Sequence, residues 1–222
     1  MFQSRKDIVY VILAAIFVTN AVLAELIGGK LIEIGPFIMS IGILPWPIVF
    51  ITTDIINEHF GRSGVKKLSF ITAALIAYCI VVLYIGTKIP ALVTRETVND
   101  AQFYAVFGQG IFIMVASLIA FIVSQLIEVS IFWFLRNKTG KKMIWLRSTG
   151  STIISQLIDS FIVSGIAFWA TGKITTSQYL NMSITGYTFK IIVAIVLTPL
   201  IYLGHYLIEK YVHEPTPEPD GK

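Results

Sequence analysis

The sequence predicts an all-α, polytopic membrane protein with six transmembrane helices and both termini cytoplasmic. Three observations carry that prediction. Only 14% of the 222 residues are charged and 55% are hydrophobic, whereas an ordinary soluble domain carries about 25% charged residues. Apolar stretches near or above the ~20 residues that cross a hydrocarbon core recur along the whole chain. The lysines and arginines fall in alternate connections between those stretches. With the N-terminus inside, the inner segments hold twelve of them (Arg5, Lys6, Arg62, Lys66, Lys67, Arg136, Lys138, Lys141, Lys142, Arg147, Lys210, Lys222). The outer connections hold four (Lys30, Lys88, Arg95, Lys173), with Lys190 left inside the last span. Cytoplasmic connections collect positive charge, so this asymmetry orients the chain.

The spans are predicted near 8–27, 34–56, 68–87, 108–135, 149–171 and 185–209. Arg5 and Lys6 precede the first, as in a signal peptide, but its length and the spans that follow mark a retained helix. Near its outer end lie the polar residues Asn20 and Glu25, then Gly28 and Gly29, which permit close packing or a turn. The second span has Pro45 and Pro47 flanking Trp46. Proline removes amide donors, and the freed carbonyls must find protein or water partners. A departure from regular helix is therefore expected between Leu44 and Pro47, and broken spans often mark midplane binding sites. Asp54 follows two turns later, with Asn57, Glu58 and His59 toward the inner interface, where a charge is cheap. The third span holds Cys79; a single cysteine excludes an intrachain disulfide and a multi-cysteine metal site. In the outer connection, "NDAQFYAVFG" reads as a short helix capped by Asn99 or Asp100.

Spans four and five each carry the same acidic word, "SQLIE" at 124–128 and "SQLID" at 155–159. Ser148, Thr152, Ser155 and Asp159, with Gln156 and Ser160 alongside, form a polar stripe at helical spacing. Helix–helix hydrogen bonding accounts for the serines and threonines. It does not account for acids, which cost about 2.5–3.5 kcal/mol at a bilayer centre and are functional candidates by default. Counted from the shared inner connection, the two words lie at one level, roughly 12–18 Å deep. The expectation is that Gln125 and Glu128 face Gln156 and Asp159 across a substrate cavity. The competing reading is that the two words interlock as structural glue. Lys190, early in span six, either snorkels to the outer interface or serves as counter-charge to one of the acids. The chain is read as one domain over residues 1–213, and the proline-rich polar tail 214–222 as disordered.

Several function classes are excluded. The cations are spread between spans rather than gathered in a nucleic-acid patch. The chain has no GxGD, no HExxH, no phosphate loop and no nucleotide-binding signature, and its histidines lie near inner span ends. That pattern is not an enzyme, and it calls for no cofactor and no metal. Amides and acids gathered at one depth suit a small-molecule site.

The stretches "PWPIVFITTDIINEHFG", "SQLIEVSIFWFLRNKTGKKMIWLRSTGSTIISQLIDSFIVSGIAFW" and "FKIIVAIVLTPLIY" resemble the queuosine-precursor transporter family. That family belongs to the vitamin-uptake group of six-helix bacterial and archaeal membrane proteins. The most specific part is Trp145, Leu146, Arg147, Ser151, Thr152, Ser155, Gln156 and Asp159. The chain departs from the pattern at Glu25, where many relatives have a lysine shortly after the asparagine of span one. The resemblance implies import of 7-cyano- or 7-aminomethyl-7-deazaguanine across the cell membrane. Asp159, Gln156, Glu128, Gln125, Asp54, Asn20, Lys190 and Trp46 are the candidate binding residues, and Phe168, Trp169 and Tyr187 further aromatic candidates. The family also resembles the substrate-binding subunits of energy-coupling-factor importers, which dock a separate ATPase through small residues such as Ala14, Ala15, Ala21 and Ala24. An ATPase partner, or a homo-oligomer, stays open at this point.

The charge asymmetry makes a direct prediction. Tags at residues 1 and 222 are both expected to resist external protease in intact cells; cleavage of either one means a miscounted span.

Overall fold

The computed structural model describes residues 4–35, 37–92, 98–108, 110–140 and 143–213, and the predicted disordered tail lies outside them. Five helices are long and apolar enough to cross a membrane. They are α1 (Arg5–Ile27), α2 (Trp46–Gly86), α4 (Ile111–Thr139), α5 (Ile144–Ser164) and α6 (Thr176–His213). Between α1 and α2 lies an antiparallel hairpin of β1 (Leu31–Ile34) and β2 (Phe37–Ser40), turned at Gly35 with φ 59°. A short helix α3 (Asp100–Phe103) precedes α4.

Ser4 opens α1 with a reciprocal capping box to Asp7. The expected start of the second span at residue 34 is corrected, because the chain is paired strand there. A 3-10 turn at Ile41–Ile43 follows the hairpin, and α2 begins at Trp46 with Pro45 as its cap. The departure from regular helix thus falls at 41–45. The prolines initiate a helix and do not break one, since the first-turn amides have no intrahelical acceptor to lose.

A straight α2 of 41 residues would run about 60 Å, twice the hydrocarbon thickness. Gly61, with φ 78° and ψ 175°, divides it instead into two helical arms. The first arm runs back along α1. At one end a Cβ on Gly42 would lie 2.6 Å from the Ala24 carbonyl oxygen, so only glycine fits there. At the other, the Tyr10 hydroxyl donates to the Gly64 carbonyl at 3.2 Å and its ring meets Phe60 at 5.0 Å. The second arm returns to Phe103, against which Gly86 packs, while Val106 nearby approaches Gly29. The expected inner loop of residues 57–67 is therefore one glycine within continuous helix. Asn99 caps α3, with Gln102 answering in a capping box. Arg5 donates to the Tyr211 carbonyl at 2.9 Å, which brings the start of α1 and the end of α6 together.

The bundle encloses an apolar core of α1, α2 and α4, including Phe17, Ile56 and Phe121, beside a polar seam along α5, and is apolar outside. Helix α5 is the least apolar of the five, with mean hydropathy 1.5, yet its apolar window is the most buried at 44%. It packs between α4 and α6. Its buried side chains include Arg147, Ser151, Ser155, Gln156 and Asp159. Large apolar residues such as Phe70, Tyr78, Val196 and Tyr206 face outward, as a lipid-facing surface requires. Arg147, counted among the inner-surface cations, is in fact fully buried; it donates to the Gly140 carbonyl at 2.8 Å and pairs with Glu58 at 2.8 Å.

Gly61 sits in a backbone region essentially reserved for glycine, and other residues there cost on the order of 1–3 kcal/mol. An added Cβ would meet only Trp133, at an ordinary 3.8 Å, so the penalty is one of backbone alone. Gly61→Ala is expected to lower the thermal unfolding temperature of the purified protein. Gly64→Ala, at a helical glycine, should change it little. Equal effects at the two positions would show that Gly61 is not the hinge.

Candidate functional site

Helices α4 and α5 answer why one word occurs twice. They pack antiparallel, and the serine of each word meets the acid of the other. Ser155 donates to Glu128 at 3.0 Å, and Ser124 donates to Asp159 at 3.4 Å. Thr152 adds a second hydroxyl to Glu128 at 3.4 Å. The words therefore interlock with their acids about one helical turn apart, and the glutamines are buried beside them rather than facing across a space. Glu128 is 2% exposed and lies in a closed seam. Gln125 and Gln156 are likewise buried there, and the Gln125 amide nitrogen has no hydrogen-bond partner among the described residues.

Toward the end where the termini lie, the same seam continues. Asp54, from the first arm of α2, accepts a short hydrogen bond from Ser148 and is 1% exposed. Beyond it, Glu58 sits between Arg147 and Arg136, and Arg136 also donates to the Asn57 and Glu58 carbonyls. His59 and His205 join arm and α6 through their ring nitrogens at 2.9 Å.

Toward the opposite end a cavity of about 160 Å³ opens between α1, the 28–43 connection, α4, α5 and α6. Lys190 reaches across from α6 and donates to Asp159 at 2.5 Å. This settles its alternatives in favour of a counter-charge. Trp46 forms part of the lining, its ring held by Phe50 at 5.8 Å and Phe121 at 6.1 Å. Phe168 enters the lining because Gly165–Trp169 forms a turn of π-helix, which widens the end of α5 and redirects its side chains. Trp169 instead stacks on Tyr179 at 5.3 Å, outside the cavity. Close backbone passage at Gly28, Gly29 and Gly42 forms the remaining wall.

Of the eight candidate residues, the cavity brings together Asp159, Lys190 and Trp46. Gln125, Glu128 and Gln156 belong to the α4–α5 seam, and Asp54 lines a separate small cleft with Ser148 and Thr152. Asn20 turns back to the Ile16 carbonyl at 2.8 Å. Glu25, noted in the sequence as a polar residue near the outer end of span one, is not among the candidate binding residues, yet it belongs to the cavity. Its carboxylate is 5% exposed, lines the cavity and accepts from Ser117 at 2.6 Å. The signal was available, because an acid within an apolar span carries the same cost that singled out Asp159.

The chain is similar to several transporters. A "Probable queuosine precursor transporter" of Bacillus subtilis is 27% identical over 181 residues, 81% of this chain and 77% of that one. A protein of the same description from Haemophilus influenzae is 28% identical over 160 residues, 70% of this chain and 63% of that one. The "Queuosine precursor transporter" of Escherichia coli is 27% identical over 160 residues, 70% and 67% of the two chains. No solved structure matches the chain significantly. The family model described as "Putative vitamin uptake transporter" matches residues 40–204, which include most of α2 to α6 and all the cavity-lining residues except Ala24, Glu25, Gly28, Gly29 and Met39. The chain belongs to this vitamin uptake transporter family, and is a membrane transporter rather than an enzyme.

Proposed function

We propose that the chain imports a queuosine precursor, a 7-substituted 7-deazaguanine, through the cell membrane of a bacterium or archaeon. In this reading the two arms of α2 each cross the bilayer, giving six crossings with both termini cytoplasmic. The observation that carries it is the Asp159–Lys190 pair at the cavity. A deazaguanine presents on one edge a ring N–H and an exocyclic amine beside a carbonyl oxygen. A carboxylate accepts the first two, and an ammonium donates to the third. Asp159 and Lys190 stand side by side in that order of chemistry, on different helices. Trp46 and Phe168 supply aromatic surface for the flat ring faces. The names of the relatives point to the same substrate class.

Binding also has a route to movement. Asp159 and Lys190 neutralise one another across the α5–α6 interface when the cavity is empty. A substrate that takes both groups loosens that link while bridging it, so occupancy bears on how α5 and α6 sit together. Of the small residues that would dock an energy-coupling-factor module, Ala21 and Ala24 are packed within the bundle, while Ala14 is half-buried and Ala15 exposed. In this reading the chain transports without a separate ATPase.

Two outcomes test the reading. Asp159→Asn turns one acceptor oxygen into a donor, and loss of a charge-assisted hydrogen bond weakens binding about tenfold to a hundredfold. Glu128→Gln, outside the cavity, should leave affinity near wild type provided the protein folds. Wild-type affinity in Asp159→Asn would mean that the site is elsewhere. Liposomes containing only this chain are expected to accumulate or equilibrate the precursor; binding without uptake would assign the chain to an ATPase-dependent importer.

A further inference from the structure

Among the described lining residues the ionisable groups are Glu25, Asp159 and Lys190. Lys190 is held by Asp159 at 2.5 Å. Glu25 has no ion-pair partner among the described residues. One of its oxygens accepts from Ser117, and among the described residues no hydrogen bond reaches the other. A nearly buried carboxylate at a ligand cavity, satisfied on one oxygen only, is an acceptor awaiting a donor. With Glu25 ionised, the three groups leave the cavity one cation short of charge balance.

We propose that Glu25 is the specificity-determining residue of this cavity and receives a protonated primary alkylamine on the substrate. This rests on the reading of the chain as a deazaguanine transporter, and within it selects the 7-aminomethyl compound over the 7-cyano compound. The discrimination is chemical and works in both directions. An alkylammonium ionises like a lysine, with a pKa of about 10.4, so it is cationic at neutral pH and offers donors only. A carboxylate offers acceptors only, and the two make a charge-assisted pair. A nitrile is neutral, and its nitrogen is an acceptor. Set against Glu25 it would oppose acceptor to acceptor and leave the carboxylate desolvated without a partner. With the amine bound, two cations, Lys190 and the ligand ammonium, balance the two acids Asp159 and Glu25.

The position of Glu25 suits this work. It lies in the last turn of α1, where Ala24 and Gly28 close on Gly42 and Ser40. The Ser40 hydroxyl is engaged with backbone, donating to the Gly28 carbonyl at 2.6 Å. Ser117, from α4, holds one carboxylate oxygen and so orients the group.

The test compares 7-aminomethyl- and 7-cyano-7-deazaguanine on the full-length protein in lipid nanodiscs. Wild type should bind the aminomethyl compound about tenfold or more tightly, the scale of one charge-assisted hydrogen bond. Glu25→Gln keeps the bond from Ser117 and removes the charge. It should lose most of that preference, with the nitrile bound as well as before or better, which also reports that the variant is folded. Equal affinities in wild type, a wild-type preference for the nitrile, or an equal loss of both ligands in Glu25→Gln would overturn the proposal while leaving deazaguanine transport standing. If wild type binds neither compound, both readings fall. If Glu25→Gln does not insert, the wild-type ratio alone decides.

Discussion

The bundle depends on the reciprocal bonding of two serines and two carboxylates between α4 and α5. Each word begins with its serine and ends with its acid. Antiparallel helices read such a word in opposite directions, so the front of one meets the back of the other. Ser155 reaches Glu128 and Ser124 reaches Asp159 in a single register. A slip along the axis would leave both acids without their hydroxyl donors, at greatest cost for Glu128, which is 2% exposed. The register in turn sets what each end of α5 can meet, with Asp159 at the cavity and Arg147 against Glu58 toward the termini.

Along α5 the polar groups are therefore distributed in kind as well as in number. The end near the termini has a salt bridge, the middle has hydroxyls on carboxylates, and the far end has an ion pair at an open space. Only the last leaves room for a ligand. The seam of Asp54, Glu128 and Gln125 is dense and closed, while the cavity forms where α5 widens at Gly165–Trp169 and where α1 and the β-hairpin replace helix packing with close backbone passage. Irregular backbone at that depth is tolerable because it is enclosed by protein.

Much of this was legible in the residues. Apolar length and cation spacing locate the helices, and the cost of an intramembrane acid singles out Asp159 and leads to Lys190. Depth gives level but not register: matching levels allow the two words either to face across a cavity or to interlock, and the helix faces in contact carry the serines. Apolar residues upstream of Pro45 and Pro47 place both prolines inside a span by sequence, yet Leu31–Ser40 pairs as strand. Periodicity is a poor guide in so uniformly apolar a stretch. Gly61 could not be recognised as a hinge, since its positive φ has no signature beyond the residue type. Arg147 looked like a loop cation by position, and only its buried partner, Glu58, shows otherwise.

The division of the ion pair between α5 and α6 has a consequence for how the chain enters a bilayer. Helices emerge from synthesis in order, so α4 arrives with Glu128 before α5 can offer Ser155 and Thr152, and α5 arrives with Asp159 before α6 brings Lys190. Each newly made acid waits for a helix not yet synthesised. Lateral release of α4 alone into lipid would carry an unsatisfied carboxylate. The three helices are therefore best retained together beside the insertion machinery until Lys190 has emerged, and a chain halted before α6 would leave Asp159 without its cation.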